Sequence, residues 1–297
     1  MSDTYSEPRC AERWTALLAP RTGDLREEIT IELAEYLHRP VAEIAAELIG
    51  ATERFTEEWR QRVADSRDEA RVIRFYNESE TELFDLAKWH AEDQIHYRTL
   101  MCCDLARQRP GRMHLDYGSG IGSDALVFAS AGFNVTLADV SEPLLRFARW
   151  RCASRGFEVG TIDLKTEALH KARYDSVVCL DVLEHIHRPL RTLRSIHAAM
   201  TRSGLLFVHA PFGHDADRPM HVVHEDVVTP RMRSLGFQWR EDLESNFPAW
   251  LWAPRVYEAV PLSFVDRIGY QIYDGWLNGP VGDRIARVYR QLLPRNS

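Results

Sequence analysis

His114-Leu115-Asp116-Tyr117-Gly118-Ser119-Gly120-Ile121-Gly122 begins like a buried strand and closes in three alternating glycines. The segment behind it, Asp124 to Ala131, has the apolar spacing of a helix. Glycine removes the Cβ that would keep a ligand off the backbone, and it tolerates the positive φ of a tight turn. A strand, a glycine turn and a helix N-terminus in this order make a nucleotide-type site at the carboxyl edge of a parallel sheet.

The spacing of the glycines narrows the ligand. A dinucleotide fingerprint, G-x-G-x-x-G, would place its third glycine at position 123, which is Ser123. The run instead reads Asp116-x-Gly118-x-Gly120-x-Gly122, with an acid ahead of the first glycine. That pattern resembles the first motif of class I S-adenosylmethionine-dependent methyltransferases. Glycine loops also serve plain turns, so the decision rests on the strands and helices C-terminal to this one.

Phe133-Asn134-Val135-Thr136-Leu137-Ala138-Asp139 alternates as a strand does and ends on an acid about 20 residues past the turn, where nucleotide folds place a ribose-binding carboxylate. Asp139 can accept from both vicinal hydroxyls of a ribose. It can equally cap the helix starting near Ser141-Glu142-Pro143, where Pro143 suits a first-turn position. A third strand, Val159 to Ile162, runs into Asp163 and Leu164; Asp163 is either a partner for an adenine amino group or an ordinary loop acid.

Tyr174 to Ile186 starts as a continuous apolar run, as in a strand buried on both faces of a parallel sheet, then breaks into Asp181-Val182-Leu183-Glu184-His185. This segment, with the helix from Leu190 to Met200 behind it, resembles the fourth motif of the same family, in which the strand end passes beside the cofactor. A fifth strand is expected at Leu205 to Ala210, entered through Ser203-Gly204 and closed by Pro211.

With four motifs in family order between Arg109 and about Trp239, the resemblance implies an α/β, Rossmann-like fold. Its sheet would be seven-stranded and mostly parallel, with helices on both faces and S-adenosyl-L-methionine as cofactor. The implied cofactor site comprises Asp116, Tyr117, Gly118, Gly120, Gly122, Asp139, Val140, Asp163, Leu164, Asp181 and Val182. Residues 109–240 would form this core. Residues 1–108 would be a helical cap, and 241–297 a helical, aromatic-rich extension completing the sheet and substrate pocket or forming an oligomer surface, with a homodimer in view.

The cap is read from apolar spacing at Ile29, Leu33, Leu37, Val41, Ile44 and Leu48, broken by Pro40, and continued through Thr52 to Ala64 and Ala70 to Arg107. Val72 to Glu80 interrupts that pattern with groups that can line a site, Tyr76 and Asn77 among them, or is a helix junction with Phe75 and Tyr76 in the core. Trp89, His90, His96 and Tyr97 come next, two of them expected in the same pocket. The tail aromatics Phe247, Trp250, Trp252, Tyr257, Phe264, Tyr270, Tyr273, Trp276 and Tyr289 would wall an acceptor pocket or a dimer surface.

The implied chemistry is methyl transfer to a small-molecule acceptor, as in specialised metabolism, yielding S-adenosylhomocysteine. The alternative on the same fold uses the aminocarboxypropyl chain, by transfer or ring closure, and releases methylthioadenosine; fold does not fix chemistry. The sulfonium already carries a good leaving group, so alignment and a general base are the main requirements. His185 is the first candidate for that base by position, with Tyr76 and His221 next and His214 and His96 behind; His185 can equally serve only to hold its loop. His214, His221 and His224 with a nearby carboxylate can hold a metal, but the preferred reading is metal-free, as in many members of the family.

Composition bounds the rest. The 297 residues, 45% of them hydrophobic, suffice for one large α/β domain with appendages, and a net charge of -7 speaks against nucleic acid or an anionic membrane as partner. The polar, acidic start and the lack of any apolar run near 20 residues lead to a cytoplasmic expectation. Five cysteines without zinc spacing should be free thiols.

Overall fold

The computed structural model describes residues 5–63, 68–212, 218–222 and 228–262. Seven strands form one sheet: β1 (Met113–Tyr117), β2 (Asn134–Asp139), β3 (Gly160–Asp163), β4 (Tyr174–Leu180), β5 (Met200–His209), β6 (Phe237–Trp239) and β7 (Arg255–Ala259). Their spatial order is β3-β2-β1-β4-β5-β7-β6. Pairing is parallel from β3 through β5, while β7 runs antiparallel to both β5 and β6. The mostly parallel, Rossmann-like sheet expected from the glycine turn is present. Its order reverses at β1 and β4, and such a switch point opens a crevice at the carboxyl ends of the strands.

Burial on both faces explains the apolar runs. On one face Val135, Leu137, Val178, Phe207 and Val256 pack with α8 (Ser123–Ser130). On the other, Leu115, Val177, Cys179, Leu206 and Tyr257 pack with α10 (Pro189–Ala199) and a 3₁₀ segment, Thr229–Leu235. α9 (Glu142–Ser154) carries Pro143 in its first turn, as expected. A short α11 (Glu241–Glu244) precedes β7.

Among the described residues, seven α-helices precede the sheet: α1 (Glu7–Leu18), α2 (Leu25–Leu37), α3 (Val41–Leu48), α4 (Ala51–Arg62), α5 (Glu69–Glu78), α6 (Glu82–Glu92) and α7 (Arg98–Arg107). They divide by what they bury. Trp14 and Leu18 of α1 and Leu100 and Met101 of α7 join the same core as Phe128 of α8, so these two helices are layers on the sheet. α2, α3 and α6 pack together over Ile121 and Phe147. α4 and α5 meet through Phe55, Trp59, Val72 and Phe75, closed by Met220 from the chain beyond β5.

Three local expectations are corrected. Val72 to Glu78 is uninterrupted helix, because Asp68 caps it by accepting from Arg71 N at 3.1 Å and Phe75 is buried against Trp59; the break comes at Ser79. A second break at Asp93, whose carboxylate accepts from Ile95 N, puts His96 on a 3₁₀ turn rather than on the helix of Trp89. β5 begins at Met200, with Ser203 and Gly204 inside it: Tyr174 pairs with Met200 and Ser176 with Leu205, an irregularity that the positive φ of Ser203 accommodates. Among the described residues no helix is long and apolar enough to cross a membrane.

Candidate active site

The glycine turn is held from three sides. Gly118 N donates to Ala138 O at 2.7 Å, and Gly120 N donates to Asp139 Oδ2 at 3.0 Å. Gly118 has φ +75°, and a Cβ there would fall 2.4 Å from Val182 Cγ2, so only glycine lets the loop after β4 lie this close. Gly122 differs in purpose, since a Cβ on it would meet Ala148 Cβ at 3.0 Å, which makes it a packing contact between α8 and α9. The third side is Arg151, buried on α9, whose Nη1 donates to Ile121 O and Ser123 Oγ while its Nε donates to Glu32 of α2 at 2.7 Å.

A cavity of about 920 Å³ opens from this turn and runs along the ends of β2 and β4 to the underside of α4, α5 and α6. Of the residues implied by the resemblance, Tyr117, Gly118, Gly120, Asp139, Val140, Leu164, Asp181 and Val182 line it. Asp139 Oδ1 also accepts from Ser141 N at 2.9 Å, which ties this carboxylate to the start of α9 as well as to the glycine turn. Asp116, Gly122 and Asp163 are not in the wall. Asp163 turns to Lys165, accepting its backbone N–H and pairing with its ammonium at 3.1 Å. Asp116 lies behind the turn; burial, then the charges of Asp124 and Asp139, push its carboxyl well above the usual range, and it accepts from Ala125 N.

All three proposed catalytic side chains, Tyr76, His185 and His221, face the cavity. Burial raises the Tyr76 phenol well above its ordinary value, with Glu82 and Glu184 adding to the shift, which suits it to donate a hydrogen bond and not to act as a base. Burial and the neighbouring His221 lower His185 to about 4, so it is a neutral imidazole near pH 7. Glu184 is 1% exposed, and burial followed by the charge of Asp181 raises it to about 8. His221 joins them through the loop beyond β5, whose Val222 N donates to Glu184 O at 2.8 Å. His214 and His224 lie outside the described residues.

Arg98 is the residue that sequence reading misses most plainly. It is 1% exposed at the start of α7, pairs with Asp181 Oδ2, and leaves Nε and Nη1 with no partner among the described residues while lining the cavity. His209 binds the other Asp181 oxygen at 2.5 Å. Burial alone would raise Asp181, but Arg98 and His209 outweigh it and hold the carboxyl down to about 2. Asp181 also has φ +56°, a left-handed backbone that swings the following turn toward the cavity.

The apolar end of the cavity is built by N-terminal residues. Trp89, His90 and His96 line it, with the two imidazoles stacked at 3.9 Å, whereas Tyr97 packs on Trp14 instead. The described tail aromatics do not wall it: Phe247 and Tyr257 are core, and Trp250 and Trp252 are exposed. Phe264, Tyr270, Tyr273, Trp276 and Tyr289 lie outside the described residues.

A family model described as a methyltransferase domain matches residues 94–263, more than half of the chain. Among curated proteins, a ubiquinone biosynthesis O-methyltransferase of Bordetella avium is 33% identical over 107 residues, 35% of this chain and 44% of that protein. A protein of the same name from Actinobacillus pleuropneumoniae is 31% identical over 124 residues, 38% of this chain and 53% of its own length. The chain thus spans about half the length of these relatives. Among solved structures, a magnesium protoporphyrin IX methyltransferase from Synechocystis with bound S-adenosylmethionine has a TM-score of 0.47 at 19% identity, covering 67% of this chain and 98% of that one.

Proposed function

The chain belongs to the methyltransferase-domain family, the class I enzymes that use S-adenosylmethionine, and from that premise we propose that it methylates a hydroxyl oxygen of a small aromatic acceptor. When bound, the cofactor would supply an electrophilic methyl carbon on a positive sulfur; the bond made to the acceptor oxygen is balanced by the S–C bond broken, its electron pair staying on sulfur, and the hydroxyl proton goes to solvent.

The observation that carries this reading is the continuity of one cavity from the Gly118–Gly120 turn to Glu184, His185 and His221 and on to Trp89 and His90. At the turn, backbone bare of Cβ faces the Asp139 carboxylate, an arrangement that fits a ribose. The unpartnered nitrogens of Arg98 suit the carboxylate at the other end of the cofactor. Beyond it, Leu86, Trp89 and Phe55 suit a planar apolar body, and the Glu184–His185–His221 cluster offers the polar partners an acceptor hydroxyl needs. The oxygen specificity in the names of the curated relatives favours the hydroxyl acceptor. A cytoplasmic setting is supported by five buried, free cysteines.

The test is product analysis. Pure protein with S-adenosylmethionine and a panel of mono- and dihydroxylated aromatic compounds should form S-adenosylhomocysteine only when an acceptor is present. Methylthioadenosine formed without acceptor would overturn the proposal in favour of aminocarboxypropyl chemistry.

A further inference from the structure

We propose that Glu184, His185 and His221 bind one divalent first-row metal ion, of the zinc, cobalt or manganese kind. Its open positions would face the cavity and take the acceptor hydroxyl; that last role rests on the hydroxyl-acceptor reading above.

One donor atom from each of the three side chains lies within 4.8 Å of the others. Donors about 2.0–2.2 Å from a common ion can be at most about 4.4 Å apart, so small side-chain rotations close the set. Two imidazoles and one carboxylate are a donor set for zinc, iron, cobalt or manganese, whereas magnesium and calcium favour oxygen alone.

The surroundings orient these atoms before any ion arrives. His185 Nδ1 lies 3.3 Å from Met220 O. A carbonyl only accepts, so Nδ1 carries the proton and Nε2 presents its lone pair, 3.9 Å from Glu184 Oε1. Metal-binding histidines are commonly fixed in this way, by a hydrogen bond from the nitrogen that does not ligate. The two imidazole rings stand 5.0 Å apart at 82°, so they do not stack and close off the space between them. Glu184 is 1% exposed, and its Oε2 has no hydrogen-bond partner among the described residues. A buried carboxylate oxygen left in this state costs free energy unless a cation or proton meets it.

The ligands come from two directions. Glu184 and His185 sit on the 3₁₀ turn Leu183–His185 after β4, and His221 on the segment that Met220 anchors into the α4–α5 core. All three line the cavity, which leaves room for further ligands on that side. A hydroxyl bound to such an ion becomes a stronger acid and loses its proton to solvent before transfer, which removes the need for a separate base.

The experiment uses the full chain without an affinity tag, stripped with a chelator and titrated with Co²⁺. The expected result is one ion per chain with visible d–d absorption, displaced by Zn²⁺. Glu184→Gln and His221→Asn should each weaken Co²⁺ binding at least about tenfold, while their affinity for S-adenosylhomocysteine, measured on the same samples, reports that they are folded. Absence of stoichiometric binding at micromolar Co²⁺, or binding unchanged in both variants, overturns the site. In the assay arm, chelator-treated protein should methylate its acceptor several-fold more slowly, with recovery on adding Co²⁺ or Zn²⁺; equal rates overturn the metal's role in transfer. Should no acceptor yield S-adenosylhomocysteine with or without metal, the hydroxyl-acceptor reading fails, and the Co²⁺ spectrum still decides the site.

Discussion

Glu32→Ala tests whether α2 and the glycine turn are one mechanical unit. Glu32 is 2% exposed on α2 and accepts from Arg151 Nε at 2.7 Å and from Arg155 Nε and Nη2 at 2.9 and 2.5 Å. Removing it leaves the Arg151 guanidinium buried without a counter-charge, a loss of about 3–5 kcal/mol for such pairs. Arg155 can turn to Glu28, 3.8 Å away, which favours the lower part of that range. With an unfolding entropy of about 2.1 cal/mol/K per residue, the 297-residue chain changes stability by roughly 0.6 kcal/mol per degree, so 3–4 kcal/mol lowers Tm by about 5–6 °C. Circular dichroism melts measure this. Affinity for S-adenosylmethionine should fall as well, because Arg151 also holds Ile121 O and Ser123 Oγ. Glu32→Leu combined with Arg151→Met should recover much of the loss, since no charge is then stranded. A Tm within about 1 °C of wild type, or a double variant that loses the sum of its singles, would refute the reasoning.

Four further outcomes are expected. Asp139→Ala should lose most affinity for S-adenosylmethionine, at least about tenfold by calorimetry, since it removes the carboxylate proposed for the ribose and frees Gly120 N at once. Gly118→Ala combines φ +75° with a 2.4 Å clash at Val182; it should abolish cofactor binding, and adding Val182→Gly should restore part of it. Asp181 titrates at about 2 in the fold against about 3.9 in an unfolded chain; its contribution is complete above the unfolded value and is lost as pH falls toward the folded one. Denaturant titrations should therefore show wild type losing about 2 kcal/mol more than Asp181→Asn between pH 5 and pH 2. All five cysteines are buried and free, so a thiol reagent should label none in the native protein and five after denaturation.

The parts of the fold that announce themselves in sequence are the local ones. Ser123 in place of a third dinucleotide glycine, the acid ending β2 and the apolar run of β4 each report a neighbourhood within a few residues. Gly122 shows where this stops: its spacing matches a cofactor glycine, yet its purpose is set by Ala148 on another helix. Arg98 looks like any arginine at a helix start, and only the approach of α7 to the end of β4 makes it a buried partner of Asp181. His221 stands out in sequence among the loop histidines, but its companions are Glu184 and His185, joined to it across the fold and not by spacing. For the aromatics that wall the cavity, composition points to the tail, whereas among the described residues Phe55, Tyr76 and Trp89 come from α4 to α6 and Tyr117 from β1, with a spacing in the helices that is equally that of plain core.

The position of β7 bears on how the chain assembles as it is made. After β1, each strand through β5 can pair as it leaves the ribosome, because every one of them neighbours a strand already synthesised. β6 is different: its partner among the described strands is β7, which comes later and must slot in between β6 and β5. Until then the edge of β5 is open and the Phe237 side chain lacks part of its packing, a state exposed to pairing with another nascent chain. A chain halted just before Arg255 would therefore keep its glycine turn yet carry an unsealed edge, and aggregation of that fragment, more than loss of any ligand contact, would mark the absence of β7.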